Sequence, residues 1–344
     1  MKAITQDRYG SAETLRLSDI PTPQIGDGEV LVRVHAASVH LGDWILMTGS
    51  PFVMRLATGL RRPKDPVPGT DVAGTVEAVG RDVQRLRPGD EVFGWSTGAF
   101  AEYVRGAEDH FVHKPAALTF EQAAAVGVSA STALQLLRDD GRVRPGQKVL
   151  VNGASGGVGT FAVQIAKAFG AEVTGVSSTK NVDLVRSIGA DHVIDYTRED
   201  FTSGSRRYDL ILDNVGNHPM ARVRRALAPS GTLISNGGGH ADGKLGRTIR
   251  AMFASIVVRQ QARPTVKTQN HGDLIALKAL VEAGSVTPVI DGTYPLSQTA
   301  KAIERVATGR ARGTIVVSVS PSAPIARPSA PAATEAPAAI PLAV

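Results

Sequence analysis

Residues 152–159 read Asn-Gly-Ala-Ser-Gly-Gly-Val-Gly, a small-residue turn between an apolar run at 149–151 and a helical pattern. Ala154, Gly156 and Gly159 fall at the spacing of a dinucleotide-binding fingerprint, with alanine in the first glycine's place. Small residues let the backbone turn sharply and approach a pyrophosphate, whose charge is met by amide N–H groups at a helix start. Ser155, Gly156, Gly157 and Val158 are therefore the expected phosphate-binding residues. A nicotinamide dinucleotide held there brings hydride chemistry with it.

The residues that choose between NADH and NADPH come after the next apolar run. An NADH site places an acid at the end of the second strand, where it accepts hydrogen bonds from the ribose hydroxyls. Here Val173-Thr174-Gly175-Val176 leads into Ser177-Ser178-Thr179-Lys180-Asn181, with no acid to repel a 2′-phosphate. The Ser178 hydroxyl and the Lys180 ammonium can bind that phosphate, so NADPH is the expected cofactor. Asp213-Asn214-Val215-Gly216 follows a later strand and brings its backbone beside the adenosine or ribose, with Asn214 as the candidate contact.

These residues need a scaffold, and the patterning supplies one. Val158, Phe161, Ala162, Ile165, Ala166 and Phe169 recur at i, i+3, i+4, i+7, i+8 and i+11, one apolar helix face. Strand-like runs at 173–176, 192–196, 209–213 and 231–235, with a helix at 185–188, continue the alternation that gives an open parallel sheet. Upstream, short β-like runs at 29–34, 72–79, 90–93 and 100–104 are separated by turn signals such as Pro88-Gly89-Asp90, which predicts a mostly β domain. The expected division is a discontinuous β domain of 1–121 and 264–319, with a helix at 274–283 and a strand at 314–319. A dinucleotide-binding domain of 122–263 lies between its parts, and a Pro/Ala-rich tail at 320–344 is expected to be disordered.

Composition narrows the classes. A chain of 344 residues, 42% apolar and 20% charged, fits a soluble protein of two domains. The absence of cysteine excludes disulfides, thiol nucleophiles and every thiolate-ligated zinc site. The net charge of +6 is spread over small clusters such as Arg61-Arg62-Pro63-Lys64, Arg206-Arg207 and Arg222 with Arg224-Arg225. Without aromatics interleaved in a dense basic block these read as solvated surface, and nucleic acid is not an expected partner. No apolar leader and no stretch of membrane-spanning length is present, so a cytoplasmic protein with no membrane partner is expected.

The segments Gly69-Thr70-Asp71-Val72-Ala73-Gly74-Thr75-Val76, Pro88-Gly89-Asp90-Glu91-Val92-Phe93-Gly94, Gly98-Ala99-Phe100-Ala101-Glu102-Tyr103, the phosphate turn, Gly189-Ala190-Asp191 and Ala311-Arg312-Gly313 occur together in this order. Over about the first 319 residues the chain thereby resembles the medium-chain dehydrogenase/reductase superfamily, in its zinc-free quinone oxidoreductase-like branch. The resemblance implies an α/β protein with a GroES-like, mostly β catalytic domain and a Rossmann domain built on a doubly wound parallel sheet. It implies that Tyr196 helps hold the 2′-phosphate, and that Gly237 and Gly238 lie near the nicotinamide.

Zinc-dependent members use a Cys in the loop that here reads Val39-His40-Leu41-Gly42-Asp43, and Gly-His-Glu where this chain has Gly69-Thr70-Asp71. His40 with Asp43 or Asp71 offers imidazole and carboxylate but no third matching ligand, so no metal is expected. The zinc-free branch commonly reads Asn-Pro-x-Asp in this loop. His40 replaces the Asn, and two roles stay open: donating a proton or hydrogen bond to the substrate, or orienting the cofactor. Asp43 reads as a structural carboxylate bonded to the loop backbone and Trp44 as a pocket wall. Val126-Gly127 stands where Val-Pro is common, a second departure.

The activity implied is metal-free hydride transfer from NADPH to a small-molecule quinone or an activated alkene such as an enone. One alternative is an NADP-dependent alcohol dehydrogenase or carbonyl reductase, opposed by the missing Lewis acid. The other is a non-catalytic NADPH-binding protein. Leu245, Ile249, Met252, Phe253, Ile256 and Val257 form an apolar helix face that either seals the cleft or meets a second copy in a homodimer. No motif names the natural acceptor.

Overall fold

The computed structural model describes residues 1–236, 261–264 and 268–319. Gly237, Gly238, the apolar face at 245–257 and the tail at 320–344 lie outside the described residues. Two strands, β1 (Lys2–Gln6) and β2 (Leu15–Asp19), pair antiparallel at the start of the chain. The long β3 (Glu29–Val39) buries Val30, Val32 and Val34 at every second position, the period of a pleated strand with one face in a core. It leads directly into α1 (Leu41–Thr48) and then α2 (Arg55–Thr58). The β domain continues through β4 (Asp71–Val79), β5 (Glu91–Trp95), β6 (Tyr103–Ala107) and β7 (Phe111–His113).

The β-like run at 100–104 is only in part a strand. Phe100 is fully buried, but its N–H donates to Pro68 O at 3.1 Å and its carbonyl accepts from Ile4 N–H at 2.8 Å. Its apolar character comes from filling the core, and regular pairing on β3 begins at Tyr103.

A kinked helix, α3 (Phe120–Gln135), carries the chain into the second sheet. There follow β8 (Lys148–Asn152), α4 (Gly157–Ala168), β9 (Glu172–Ser177), α5 (Val182–Ser187), β10 (His192–Asp195), β11 (Tyr208–Asp213), α6 (Met220–Arg225), β12 (Leu227–Ser235) and β13 (Gln261–Pro264). The six strands are all parallel, in the order β10-β9-β8-β11-β12-β13. Parallel strands covered on both faces are apolar without alternation, as Val149-Leu150-Val151 and Leu210-Ile211-Leu212 are, all of them buried. The order reverses at β8, and the crevice beyond the carboxyl ends of the strands there is where such sheets bind ligands.

The chain closes with α7 (His271–Glu282), β14 (Ile290–Pro295), α8 (Thr299–Ala307) and β15 (Thr314–Ser318). Here β15 runs parallel to β14 and antiparallel to β3, so the last strand lies inside the sheet that the first third of the chain began. That sheet has the order β14-β15-β3-β4-β5-β7, with β6 paired on β3. The largest apolar core crosses the junction, joining Phe93 and Val112 of the β domain to α3, α4 and Leu274 and Leu277 of α7. No helix among the described residues is long and apolar enough to cross a membrane.

Candidate functional site

The phosphate turn sits at the reversal point of the parallel sheet. Asn152, ending β8, donates from Nδ2 to Asp213 Oδ1 at 2.8 Å and Asn217 Oδ1 at 3.0 Å, which ties the ends of β8 and β11. Gly156 caps α4 in an extended conformation and bridges to Gly313, and no side chain caps the helix start. Gly159 has to be glycine, since a Cβ there would stand 2.0 Å from Gly153 O. Ser155 Oγ accepts from Asn181 Nδ2 at 2.9 Å, and Ser155 O accepts from Gly313 N–H at 2.8 Å. Gly157 follows as the first residue of α4, and Val158 is half-buried against the junction core.

Three buried polar atoms around this turn have no hydrogen-bond partner among the described residues: Asn181 Oδ1, Asn214 Nδ2 and Thr314 Oγ1. Buried polar atoms are nearly always partnered. Their residues all adjoin the turn. Asn181 bonds Ser155, Asn214 N–H donates to Asn152 O at 3.2 Å, and Thr314 follows Gly313. A dinucleotide, rich in hydroxyls and phosphate oxygens, fits such a set of unmet donors and acceptors.

Ser178 and Lys180 lie on the short turn after β9, and Tyr196 lies just past β10. Register pairs Asp195 with Ser177, and Tyr196 N–H donates to Ser177 O at 3.0 Å, so the three candidates share the end of two neighbouring strands. Ser178 is half-buried, Lys180 is exposed, and the Tyr196 side chain is 57% exposed. An acid also stands here that a search confined to the second strand passes over. Asp195 Oδ2 accepts from Thr179 Oγ1 at 2.6 Å, and Oδ1 accepts from the Thr197 N–H and hydroxyl at 3.0 and 2.8 Å. The Thr179 hydroxyl, and then Thr197 and Arg198, hold its carboxyl below the usual aspartate range against slight desolvation. Its place immediately before Tyr196 was the available signal.

His40 caps α1. Its backbone N–H donates to Asp43 Oδ2 at 2.8 Å, the helix-start bond expected of a carboxylate at the third position. The ring folds over Gly42, with Nδ1 at 3.6 Å from the same oxygen, within ion-pair but beyond hydrogen-bond range. Its side chain is 14% exposed, and Nε2 is buried without a partner among the described residues. Asp43 is buried, with Oδ1 likewise unpartnered. Burial pushes the Asp43 carboxyl up, opposed by His40 and reinforced by Asp71. Trp44 is half-buried against the β-domain core, which leaves part of its surface free to wall a pocket.

Asp71 accepts from Ser38 Oγ at 2.6 Å, from Val128 N–H at 2.9 Å on both oxygens, and from Gln269 Nε2 at 3.2 Å. Burial pushes its carboxyl up too, against the pull of His40 and these donors. This contact accounts for the departure at Gly127. The α3 kink lies there, and a Cβ would stand 2.2 Å from Asp71 Cγ and Oδ1. Residues 71 and 127 are two sides of one contact between the β domain and α3.

The chain has no cysteine, and no group of three His, Cys, Asp or Glu converges among the described residues. Both Asp71 oxygens are already engaged by neutral donors.

Known proteins share this architecture. Residues 26–116 match the family model described as the alcohol dehydrogenase GroES-like domain, and 188–317 that described as zinc-binding dehydrogenase. The bovine mitochondrial NAD(P)H oxidoreductase RTN4IP1 is 34% identical over 362 residues, covering 93% of this chain and 89% of that protein. Human quinone oxidoreductase is 34% identical over 323 residues, covering 90% and 94%. Among solved structures, the quinone oxidoreductase from Coxiella burnetii gives a TM-score of 0.81 at 31% identity, covering 93% of this chain and 99% of that one. The α/β architecture of a GroES-like domain and a Rossmann-like parallel sheet is thus shared along the matched length.

Proposed function

The chain belongs to the medium-chain dehydrogenase/reductase superfamily, in its quinone oxidoreductase-like branch, and from that premise we propose that it is an NADPH-dependent reductase of quinones or activated alkenes that works without a metal. The observation that carries this reading is the phosphate turn with its three unmet buried polar atoms, next to a β9 turn that offers Ser178 and Lys180 and no acid of its own. In this reading Ser155, Gly156, Gly157 and Val158 hold the pyrophosphate. Ser178, Lys180 and Tyr196 hold the 2′-phosphate, and Asn214 Nδ2 meets a ribose or adenosine oxygen. Bound in this way, a reduced nicotinamide supplies the hydride.

The remaining task is to meet negative charge on the acceptor's oxygen. Where no metal does so, hydrogen-bond donors must. In this reading His40 does so: its ring lies over Gly42 beside Asp43, and Nε2 has no partner among the described residues. Nε2 is the atom that would donate a hydrogen bond or a proton to the carbonyl oxygen; the other role open to the ring is to orient the cofactor. Trp44 walls the pocket.

The test is to follow oxidation of NADPH and NADH with a benzoquinone, methyl vinyl ketone and hexanal, with and without exhaustive chelation. NADPH should be the better donor, the quinone or the enone the better acceptor, and the chelator without effect. Preference for NADH refutes the roles of Ser178 and Lys180. Activity with hexanal that the chelator abolishes refutes the metal-free reading.

A further inference from the structure

Six of the nine exposed large apolar side chains among the described residues crowd into positions 41–60. Phe52 is 65% exposed, Leu56 66% and Leu60 57%, with Leu41, Leu46 and Met54 beside them in sequence. Exposure of this kind normally marks an interaction surface. It does not come from a loosely held loop. Arg55 donates to Gly49 O at 3.0 Å and lies 4.5 Å over the Tyr9 ring and 5.4 Å over the Phe52 ring. Tyr9 in turn donates to Gly59 O at 2.7 Å. The stretch is tied to the β domain and still presents its apolar side chains to solvent.

Charge identifies the occupant. From Trp44 to Asp65 the chain carries four cations, Arg55, Arg61, Arg62 and Lys64, against one acid, Asp65 at its end. Arg62 and Lys64 also line a groove of about 720 Å³ against β1 and β2, shared with Arg16 and the hydroxyls of Thr5 and Ser18, and facing one carboxylate, Asp7. Exposed apolar side chains beside cations and hydroxyls are the composition of a surface that lies on a bilayer, apolar groups in the acyl boundary and cations at the headgroups. We propose that residues 41–64, with the adjoining basic groove, form a docking surface for an anionic lipid bilayer. Docking of this kind needs no spanning helix. The sequence expectation of no membrane partner rested on the lack of a spanning stretch and does not bear on it. The surface begins at α1, the helix that His40 caps, so a docked chain would hold that end of the molecule against a phase in which lipophilic acceptors dissolve.

Co-sedimentation of the full chain with phosphatidylcholine vesicles, with or without phosphatidylglycerol, reads this without any catalysis. The wild type should sediment with the anionic vesicles, more weakly at high salt, and not with the neutral ones. Each cation near an anionic leaflet is worth about fivefold in partitioning, so Arg61→Gln, Arg62→Gln and Lys64→Gln together should weaken binding about 100-fold. Phe52→Ser with Leu56→Ser should abolish it while the thermal melt stays cooperative. The same charge removed elsewhere, by Arg87→Gln, Arg144→Gln and Arg310→Gln, should cost far less. Equal losses in both charge sets overturn the proposal, as does failure of the wild type to bind. A concentration-dependent dimer lost in the Phe52/Leu56 variant overturns it in favour of a second copy. Weakened turnover of a soluble quinone in that variant, with vesicle binding intact, overturns it in favour of a substrate entrance.

Discussion

Replacing Gly127 with alanine probes the junction between the β domain and α3 directly. The added Cβ would lie 2.2 Å from Asp71 Cγ and Oδ1 and 2.6 Å from Oδ2, where ordinary contacts begin at 3.4 Å. The carboxyl group must therefore retreat by more than an ångström, or α3 must shift. Either movement breaks the bonds from Ser38 Oγ and Val128 N–H, now 2.6 and 2.9 Å. Hydrogen bonds to a charged group contribute about 1.5–3 kcal/mol each, so losing these two costs about 3–6 kcal/mol. The gain from restricting the unfolded chain, about 0.4–1 kcal/mol, does not offset this. Urea denaturation followed by circular dichroism measures the loss. Asp71→Ala alone should cost about 2–6 kcal/mol, because it leaves both Val128 N–H and the buried Ser38 hydroxyl without their acceptor. In that background Gly127→Ala meets no carboxylate and should cost clearly less than in the wild type, by more than about 1 kcal/mol. If Gly127→Ala costs the same in both backgrounds, or nothing in the wild type, the contact between residues 71 and 127 is not what requires glycine.

Other expectations follow from the same coordinates. Lys180→Ala should raise the KM for NADPH about tenfold, one lost charge-assisted bond, and leave that for NADH unchanged; an equal change for both cofactors refutes a 2′-phosphate role. Asn181→Ala, which cuts the bond to Ser155 Oγ, should instead weaken both cofactors alike, as titration calorimetry will show. Burial raises the Asp71 carboxyl above its ordinary value of 3.8, so the folded state holds that proton more tightly than the unfolded. The stability of the wild type relative to Asp71→Asn should then fall as pH rises from 3.8 through the folded-state value and level off above it; a difference that grows with pH refutes this.

Much of the fold is legible in the sequence because its signals are local. The strands on either side of the phosphate turn are covered on both faces and read as unbroken apolar runs, and α4 shows its 3.6-residue period in Phe161, Ala162, Ile165 and Ala166. The phosphate turn is legible for the same reason, since strand, turn and helix follow one another within 23 residues, from Lys148 to Gly170. What escaped depends on distance. Gly127 stands out as a departure from the pattern of the zinc-free branch, yet only folding shows that the Asp71 carboxyl fills the space left by its missing side chain. Asp195 escaped because it reaches the β9 turn from a neighbouring strand. The run at 100–104 misled in part because burial makes an irregular segment as apolar as a strand.

The position of β15 has a consequence for how the protein is made. Ala36 to Val39 of β3 lie next to it in the finished sheet, yet β15 is the last of the described strands to leave the ribosome. At about 5–20 residues per second, β3 waits on the order of tens of seconds for its neighbour. Until then one edge of an apolar strand stands open to pairing with other chains. Ser155 O, too, lacks its bond from Gly313 N–H over the same interval. A nascent chain released short of residue 313 would thus have an unfinished sheet and an unanchored phosphate turn at once.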